Sequence, residues 1–563
     1  MPAFGTGSSF GPASPSVSKP CPGKPVVIRL YFIPGIPYIR NLIIFKGENM
    51  RKLKPAVLVF AATLMVRSFL PAGQNVPDKR TDEEKILAAY HSISSHALLG
   101  AVEELASDKY AGRLTGTPGF NASAEWLVSL FKKWEIKPAG DQGTYLQAFP
   151  NPYTLVFKGN DAYLRIPVKG PGAKKAEEIK KFYKFEDEYI PGATSGSGEV
   201  TAEVIYVGYG ITASELGYDE YQGLDVKGKI LLMEREVPVS PDEKPDLFKK
   251  WRPYSFHQYK LENAVAHGAK GMIYNYGPIT NPNNSYREGF IYTHVGDAVV
   301  EDIFAGTGRT HKDTMEKIQK TLKPQSFDTG KIFTLKNVTE HHPEGIGYNI
   351  IGLVEGSDPV LKDEVIIVGA HLDGVGSCPE IMPGANDNCS AVAVMMGVAE
   401  ALAKSEVKPK RSVMFIAFGA EEQGVAGSEF YVEHPVMPLE KTSVFINMEG
   451  PGRGDKISVL AGKDFPGFYA FLERANGTYV HREMTAGSFA NIARPRQDTA
   501  RFLWKGVPGV TVEAYGIPDP YETYHNTRDD ATLITPEIME DIAQLLFMAI
   551  VDMSDEAKLP FRN

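Results

Sequence analysis

Beyond residue 349, continuous apolar runs alternate with amphipathic segments. The runs "EVIIVGA", "SVMFIAF", "SVFINM" and "GVPGVTV" have the length of strands, and "SAVAVMMGVAEALAK" has the spacing of a helix. Apolar strands that alternate with helices are typical of a parallel sheet buried on both faces. We therefore predict an α/β fold with a mixed, largely parallel sheet flanked by helices. Residues 82–105 and 122–134 also have helical spacing, and they predict the N-terminal helical part of the same domain, over residues 76–150.

Residues 151–338 follow a different pattern. Short β-like runs at 203–209, 229–233 and 271–276 are separated by Gly, Pro and charged turns, and one helical segment, "SFHQYKLENAVAHGA", stands among them. We predict that this stretch is a mainly-β domain inserted into the α/β domain. The second part of the α/β domain then covers residues 339–563.

The first 75 residues differ from the rest in composition. Residues 1–49 begin with a Gly-, Pro- and Ser-rich stretch, and we interpret them as a disordered or non-native extension. From Met50, the basic cluster "RKLK" precedes an apolar stretch at 56–66, an order that is typical of a secretory signal peptide. We predict a signal peptide over residues 50–75 and a secreted or periplasmic protein. The alternative is an amphipathic or anchoring helix.

Composition narrows the functional class. Hydrophobic residues make up 43% and charged residues 23% of the 563 positions, which is ordinary for a globular protein. The formal net charge of -9 gives no support for a surface that binds nucleic acid or anionic membranes. Apolar runs of 18 residues without a charge do not occur in the sequence, which argues against a polytopic membrane protein.

Acidic and imidazole side chains follow the predicted strands of the α/β domain. They are His371 and Asp373 after "VIIVGA", Asp387 in "GANDNCSA", Glu421 and Glu422 after "VMFIAFGA", Glu449 after "SVFINM", and His525 after "TVEAYGIPDPYETY". Ligand sites in such sheets lie beyond the carboxyl ends of the strands, so we expect these side chains to meet at one rim. Two imidazoles with several carboxylates and no thiolate suit Zn²⁺, with Mn²⁺ or Co²⁺ as substitutes.

The ligands are numerous enough for two ions, with Asp387 in the middle of the order as a bridging carboxylate. Two ions about 3.5–4 Å apart can hold a shared hydroxide and polarise a carbonyl group. Taken singly, each residue has an ordinary structural explanation, since a histidine after a strand can be a core residue and two glutamates can open a solvated helix. Their common position at the ends of strands favours the metal site.

Five segments occur in an order that resembles a known family. They are "GAHLDGVG", "PGANDNCSAVAVMM", "FIAFGAEEQGVAGSEFY", "INMEG" and "YETYHNTRDD", within residues 340–550. Together they resemble the co-catalytic zinc exopeptidases of metallopeptidase family 28, which include secreted bacterial leucyl aminopeptidases and glutamate carboxypeptidase II. The resemblance implies an exported aminopeptidase that hydrolyses N-terminal residues of peptides through a two-metal-bound hydroxide.

The resemblance also implies which residues hold the two zinc ions. His371 and Glu449 would bind one ion, Glu422 and His525 would bind the other, and Asp387 would bridge them. Glu449 departs from the Asp that many members carry at this position. The additional methylene puts in doubt how the metal sits on that side.

Three further residues have catalytic roles by the same resemblance. Glu421 would be the general base, and Asp373 would accept the second N–H of His371 and fix its tautomer. Tyr524 matches a tyrosine that steadies the oxyanion in carboxypeptidase members. Asp498 lies in a segment whose usual Ser and His are replaced by Gln497 and Thr499, so it is a weak candidate for the substrate pocket.

The inserted stretch has a resemblance of its own. "AEVIYVGYGI", "VKGKILLMERE" and "YKLENAVAHGAKGMIYNYG" are similar to the protease-associated domain, which occurs as an insert in larger members of the same family. This resemblance implies a lid, substrate-access or docking role and no catalytic residue of its own. The histidines at 257, 267, 341 and 342 are then expected to be structural or solvent-facing.

Several alternatives remain open from the sequence. A carboxypeptidase that acts on acidic C-termini requires arginines that converge on a carboxylate, and the candidates are Arg453, Arg494, Arg496 and Arg501. A glutaminyl cyclase, which uses one zinc, and a non-catalytic binding relative are also considered, but every ligand position is filled here. The preferred side chain and the oligomeric state do not follow from the sequence.

The cysteines allow two readings. Cys21 falls in the N-terminal extension, while Cys378 and Cys389 flank the loop that carries Asp387. In an exported protein the last two could form a disulfide that stiffens this loop, or they could be two small buried residues.

Overall fold

The structure is a computed structural model, and it describes residues 80–168, 177–283, 285–489, 497–517 and 522–561. The α-helices are α1 (Asp82–Tyr90), α2 (Ser95–Leu105), α3 (Pro118–Lys133), α4 (Pro245–Trp251), α5 (His257–Ala266), α6 (Asp297–Phe304), α7 (His311–Thr321), α8 (Ser390–Lys404), α9 (Ala426–Glu433), α10 (Pro466–Ala475), α11 (Thr499–Trp504) and α12 (Pro536–Asp555). The strands are β1 (Lys137–Pro138), β2 (Leu146–Pro150), β3 (Tyr153–Val156), β4 (Asp161–Val168), β5 (Glu177–Phe182), β6 (Tyr189–Pro191), β7 (Gly198–Tyr206), β8 (Thr212–Ala213), β9 (Tyr218–Asp219), β10 (Ile230–Glu234), β11 (Gly271–Asn275), β12 (Ile291–Val295), β13 (Phe327–Asn337), β14 (Thr339–His342), β15 (Ile346–Val354), β16 (Val365–His371), β17 (Ser412–Phe418), β18 (Thr442–Met448), β19 (Lys456–Leu460), β20 (Met484–Ala486) and β21 (Gly509–Tyr515).

A nine-stranded sheet forms the centre of the fold. Its strand order is β1-β15-β17-β16-β18-β21-β19-β20, and β2 pairs with β15 beside this path. The four middle strands, β17, β16, β18 and β21, are parallel, while β15 and β19 join them in antiparallel fashion. All residues of β16, β17 and β18 are buried, as their unbroken apolar sequences require. The predicted mixed α/β fold class is confirmed.

Helices cover both faces of this sheet. On one face, α8 and α12 pack with α2 over side chains such as Val368, Phe415 and Ile446. On the other face, Phe502 of α11 and Tyr431 of α9 pack on side chains that alternate with the first set. Burial on both faces fixes the register of the central strands, because a slip by one residue would exchange the two sets.

A second sheet lies within residues 151–338, which we call the inserted region. Its eight strands have the order β5-β4-β13-β7-β10-β11-β12-β6, and β7, β10, β11 and β12 are parallel. Four helices, α4 to α7, accompany this sheet, whereas the sequence suggested only the one at 255–269. The other three have 7 to 11 residues, so their apolar spacing repeats too few times to be distinguished from strand or turn.

Some predictions lie outside the described residues. These are the extension over 1–49, the signal peptide over 50–75, Cys21, and the arginines at 494 and 496. Within the part of the chain that the structure describes, the helices are all too short or too polar to cross a membrane.

Candidate metal centre

Three parallel strands deliver side chains to one edge of the central sheet. β16 ends at His371, β18 is followed directly by Glu449, and β17 is followed by the turn that holds Glu421 and Glu422. In the parallel register His371 lies opposite Phe418, the last residue of β17. The strand ends therefore converge, as the sequence predicts for the carboxyl edge of such a sheet.

The turn after β17 places two consecutive glutamates toward this edge. Ala420 has a left-handed φ of 56°, which reverses the chain directly before Glu421. A Cβ on Gly427 would lie 2.1 Å from the carbonyl oxygen of Gly419, so the helix α9 approaches the turn more closely than an alanine would allow. The small residues of "GAEEQGVAG" are thus required by the packing of the turn.

The first group of ligand atoms surrounds the imidazole of His371. Its Nε2 atom lies 3.1 Å from Oε1 of Glu449 and 3.3 Å from Oδ1 of Asp387. The second group surrounds His525, whose Nε2 atom lies 3.0 Å from Oε2 of Glu422 and 3.3 Å from Oδ2 of Asp387. Each oxygen of Asp387 thus faces a different histidine, which is the arrangement of a carboxylate that bridges two sites.

These separations fit zinc. Zn–N and Zn–O bonds of about 2.0–2.2 Å at tetrahedral angles put two ligand atoms of one ion about 3.3–3.6 Å apart, so the present atoms need move only a few tenths of an ångström. The four N···O distances of 3.0–3.3 Å agree with that geometry. The Oε1 atom of Glu422 is buried and meets no hydrogen-bond partner among the described residues, so it has a free lone pair at the site. The donor set, two imidazoles with carboxylates and no thiolate, is one that zinc accepts.

Backbone carbonyls fix the tautomers of both histidines. The Nδ1 atom of His371 lies 3.1 Å from the carbonyl oxygen of Asp373, and Nδ1 of His525 lies 2.7 Å from that of Thr280. A carbonyl oxygen can only accept, so each Nδ1 carries the proton and each Nε2 is left to bind a metal. Thr280 belongs to the inserted region.

The carbonyl and the carboxylate of Asp373 have separate partners. Its Oδ1 atom is 3.6 Å from Nδ1 of His371, and the carbonyl of the same residue takes the hydrogen bond instead. The two carboxylate oxygens accept the backbone N–H groups of Glu421 and Glu422, each at 3.2 Å. Asp373 therefore orients the glutamate turn with its side chain and the histidine with its backbone.

Glu421 lies beside the first group of ligand atoms, the one around His371. One of its oxygens is within 4.8 Å of ligand atoms of His371 and Glu449. Burial raises its pKa well above 4.5, and the nearby charges of Glu449 and Glu422 raise it further, although His371 opposes them. A carboxyl group in this environment holds a proton readily unless a cation is close.

Burial and neighbouring charges also shift the pKa values of the other carboxylates and of the two histidines. Burial raises the pKa of Glu449 to about 8 against the influence of His371, and burial also raises the pKa of Glu422. Burial alone would lower the pKa of His371 and His525, but the surrounding carboxylates outweigh it and raise both pKa values. The pKa of Asp387 is lowered by the two histidines in spite of burial. The site has an excess of negative charge that a dication would offset.

Tyr524 lies against the second group. Its ring stacks on that of His525 with centroids 3.7 Å apart and planes at 19°. Burial raises its pKa well above 10, and the charges of Asp387 and Glu422 add to the shift. The phenol thus stays protonated beside the site and is able to donate a hydrogen bond.

Two residues that support the site were not predicted from the sequence. Asp529 accepts the backbone N–H groups of Asn386 and Asp387 at 2.9 and 3.0 Å and so holds the loop of Asp387. Arg113 is fully buried and donates to four backbone carbonyls, at 2.7–3.1 Å. The acidic pair in "TRDD" and the arginine in "YAGRLTG" have no distinguishing local pattern, because their partners are backbone groups distant in sequence.

The remaining candidates have other partners. His267, His341 and His342 stack on Tyr221, Tyr286 and Tyr153, and His257 packs edge-on against Tyr274 and Tyr276, all within or beside the inserted region. Arg453 donates to Thr523, and Arg501 pairs with Glu429.

Cys378 and Cys389 are free buried thiols, with Sγ atoms directed at the carbonyls of Pro191 and Pro383, so the disulfide is not formed. Asp498 is fully buried at the start of α11, and burial raises its pKa to about 6.

Comparisons with known proteins find a matching family and aminopeptidase relatives. Residues 349–550 match the model of peptidase family M28. An aminopeptidase of Pseudomonas aeruginosa is 27% identical over 429 residues, which are 73% of this chain and 68% of the relative. Aminopeptidase YwaD of Bacillus subtilis is 27% identical over 522 residues, which are 89% of this chain and 93% of the relative.

Solved structures show the same fold. The aminopeptidase from Aneurinibacillus sp. strain AM-1 has a TM-score of 0.58 at 20% identity, covering 86% of this chain and 98% of the other. A zinc aminopeptidase from Bacillus subtilis has a TM-score of 0.51 at 20% identity, covering 82% and 95%.

Proposed function

We propose that this chain, whose residues 349–550 match the model of peptidase family M28, is a zinc-dependent aminopeptidase that removes N-terminal residues from peptides. This match supports a metal-dependent exopeptidase. The aminopeptidase assignment is supported by relatives that align with most of the chain. The observation that carries the proposal is Asp387, whose two oxygens face His371 and His525 at 3.3 Å each.

We assign the ligands to two zinc ions. His371, Glu449 and Asp387 would hold one, and His525, Glu422 and Asp387 would hold the other. Bound zinc would supply Lewis acidity and lower the pKa of a water molecule toward neutrality. The excess of buried carboxylates supports two ions, because a single dication would leave much of the negative charge uncompensated.

The residues of this chain then have separate tasks. Glu421, which has an oxygen within 4.8 Å of the His371 group, would accept a proton from the attacking water and pass it to the leaving amine. Asp373 holds the backbone of Glu421 and Glu422, so the base and the ligand keep a fixed spacing. Tyr524, whose phenol stays protonated, would donate to the developing oxyanion.

Two further assignments belong to the proposal. The basic and apolar order of residues 50–75 supports export to the periplasm or the exterior. The inserted region resembles a protease-associated domain by the motifs in its strands. Both fit an enzyme that meets peptides outside the cytoplasm.

The substrate class is tested by comparing three sets of substrates. We expect rapid hydrolysis of an aminoacyl 4-nitroanilide, none of its N-acetylated form, and none of an N-blocked peptide with a C-terminal glutamate. Activity should disappear on dialysis against a chelator and return with zinc. Preferred cleavage of the C-terminal glutamate would overturn the aminopeptidase assignment in favour of a carboxypeptidase.

The role of the base is tested by Glu421→Gln. We expect zinc content of two ions per chain, as in the wild type, and a fall in kcat of at least about 10²–10⁴-fold, which is the usual contribution of a general base. Glu433→Gln, an exposed change on the neighbouring helix α9, is the matched control and should retain full activity. Wild-type turnover in Glu421→Gln would refute the mechanism.

A further inference from the structure

The loop over residues 522–530 carries much of the metal centre. It holds His525 and Tyr524, and its Asp529 accepts the N–H groups that fix the loop of Asp387. The backbone of His525 is in the left-handed region, with φ of 55°. A non-glycine residue in this region is strained and persists where its surroundings hold it.

The backbone of the inserted region forms two hydrogen bonds with His525. The N–H of Thr280 donates to the carbonyl oxygen of His525 at 3.0 Å, and Nδ1 of His525 donates to the carbonyl oxygen of Thr280 at 2.7 Å. The two bonds run in opposite directions between the same two residues. They fix both the main chain of His525 and the orientation of its imidazole.

A second contact reaches the same loop two residues later. The carboxylate of Glu186, also in the inserted region, accepts the backbone N–H of Thr527 at 2.5 Å and its hydroxyl at 2.8 Å. Glu186 itself has a left-handed φ of 69°, so its position is held by the surrounding turn. An acceptor that is ionised forms stronger hydrogen bonds than a neutral one.

We propose that Glu186 is a positioning residue for the metal centre, acting through Thr527 on His525. The inserted region is then part of the machinery that binds zinc at the His525 side. The inference rests on the proposed function for the identity of the metal, but it concerns zinc affinity and not turnover. Groups that hydrogen-bond a metal ligand directly are worth about 10–100-fold in metal affinity, which sets the upper limit for a contact two residues away.

The variant to test is Glu186→Ala in the full chain, and Glu186→Gln is the conservative variant. The alanine variant should bind zinc more weakly at one of the two sites, by up to about 10–100-fold. The glutamine variant keeps one oxygen acceptor and should lie between it and the wild type. Asp187→Asn removes the same charge from the neighbouring exposed residue, which pairs with Lys184, and should bind zinc as the wild type does.

Zinc affinity is measured by titrating the metal-free protein in competition with a chromophoric chelator. The background variant His525→Ala identifies the weakened site, because adding Glu186→Ala to it should cause no further loss. Thr527→Val, which removes only the hydroxyl, gives a second route if the alanine variant does not fold. Hydrogen exchange at 522–530 in the metal-free protein should be faster in Glu186→Ala than in Asp187→Asn.

The outcomes separate the two proposals. Wild-type zinc affinity in both Glu186→Ala and Thr527→Val would overturn the positioning role and leave the aminopeptidase assignment intact. Equal loss at both zinc sites, or further loss in the His525→Ala background, would also overturn it, since the effect would then be general. A wild-type protein that binds two zinc ions but cleaves no peptide would defeat the proposed function alone.

Discussion

Arg113→Lys is expected to weaken both the fold and the metal centre. The guanidinium is fully buried and has no carboxylate among its hydrogen-bond acceptors: Nε donates to Leu372 O at 3.0 Å, Nη1 to Leu105 O and Pro383 O at 3.0 and 2.7 Å, and Nη2 to Gly384 O at 3.1 Å. These carbonyls lie on three separate segments. One segment contains His371 and another leads to Asp387.

The magnitude follows from the number of contacts a lysine can keep. A single ammonium can at best replace Nη1, so the carbonyls of Leu372 and Gly384 lose their donor. A buried polar group left without a partner costs about 1–3 kcal/mol, so the free energy of unfolding should fall by about 2–6 kcal/mol. Zinc affinity should fall as well, because Leu372 directly follows His371 and Gly384 begins the loop of the bridging ligand.

The matched control is Arg411→Lys. Arg411 is also fully buried and donates to the carbonyls of Met553 and Ser554 and to Glu364, none of which is a predicted metal ligand. Denaturant unfolding of the metal-free proteins, followed by tryptophan fluorescence, gives the change in stability, and competitive zinc titration gives the change in affinity. Both variants should lose stability, and only Arg113→Lys should lose zinc affinity. Equal zinc affinities in the two variants would refute the reasoning.

Two further predictions concern buried titratable groups. Burial raises the pKa of Glu220 in the inserted region from 4.5 to about 7, so the folded protein holds a proton that the unfolded chain releases between these pH values. The stability from this group is present below pH 4.5 and is lost as the pH rises through 7, by at most about 3 kcal/mol. Denaturant unfolding of Glu220→Gln should lack this part of the pH dependence, and an unchanged slope would contradict the assignment. Burial also raises the pKa of Cys378 and Cys389 to about 12, so neither thiol should react with a disulfide reagent in the native protein. Both thiols should react after denaturation without reductant. If neither Cys378 nor Cys389 reacted under these conditions, a disulfide between them would be indicated.

The sequence predicts the central sheet because the unbroken apolar pattern of a strand buried on both faces can be recognised within the strand itself. β16, β17 and β18 are unbroken apolar runs, and each is buried along its whole length. The ligands could be found for the same reason, since His371 and Glu449 stand at the ends of these runs. The helices of the inserted region were missed where they are short, as in α4, which has seven residues.

The contacts that hold the ligands could not be predicted in the same way. The sequence predicts that Asp373 accepts the N–H of His371, but spacing along the chain identifies a neighbour and not which of its oxygens faces the ring. In the structure the carboxylate is occupied by the N–H groups of Glu421 and Glu422, so the carbonyl meets the imidazole. One residue thus links the ends of two adjacent strands.

The same physical reason explains why the inserted region appeared to have no part in the site. Its contribution to His525 comes from a backbone carbonyl and N–H of Thr280, groups that every residue except proline possesses in full. A side-chain pattern cannot mark such a contact. The two histidines are therefore fixed by carbonyls of different origin, one from the sheet edge at Asp373 and one from the inserted region. The imidazole of His371 is fixed at the sheet edge, whereas that of His525 also requires the inserted region to be in place, so displacement of that region should release zinc from the His525 side first.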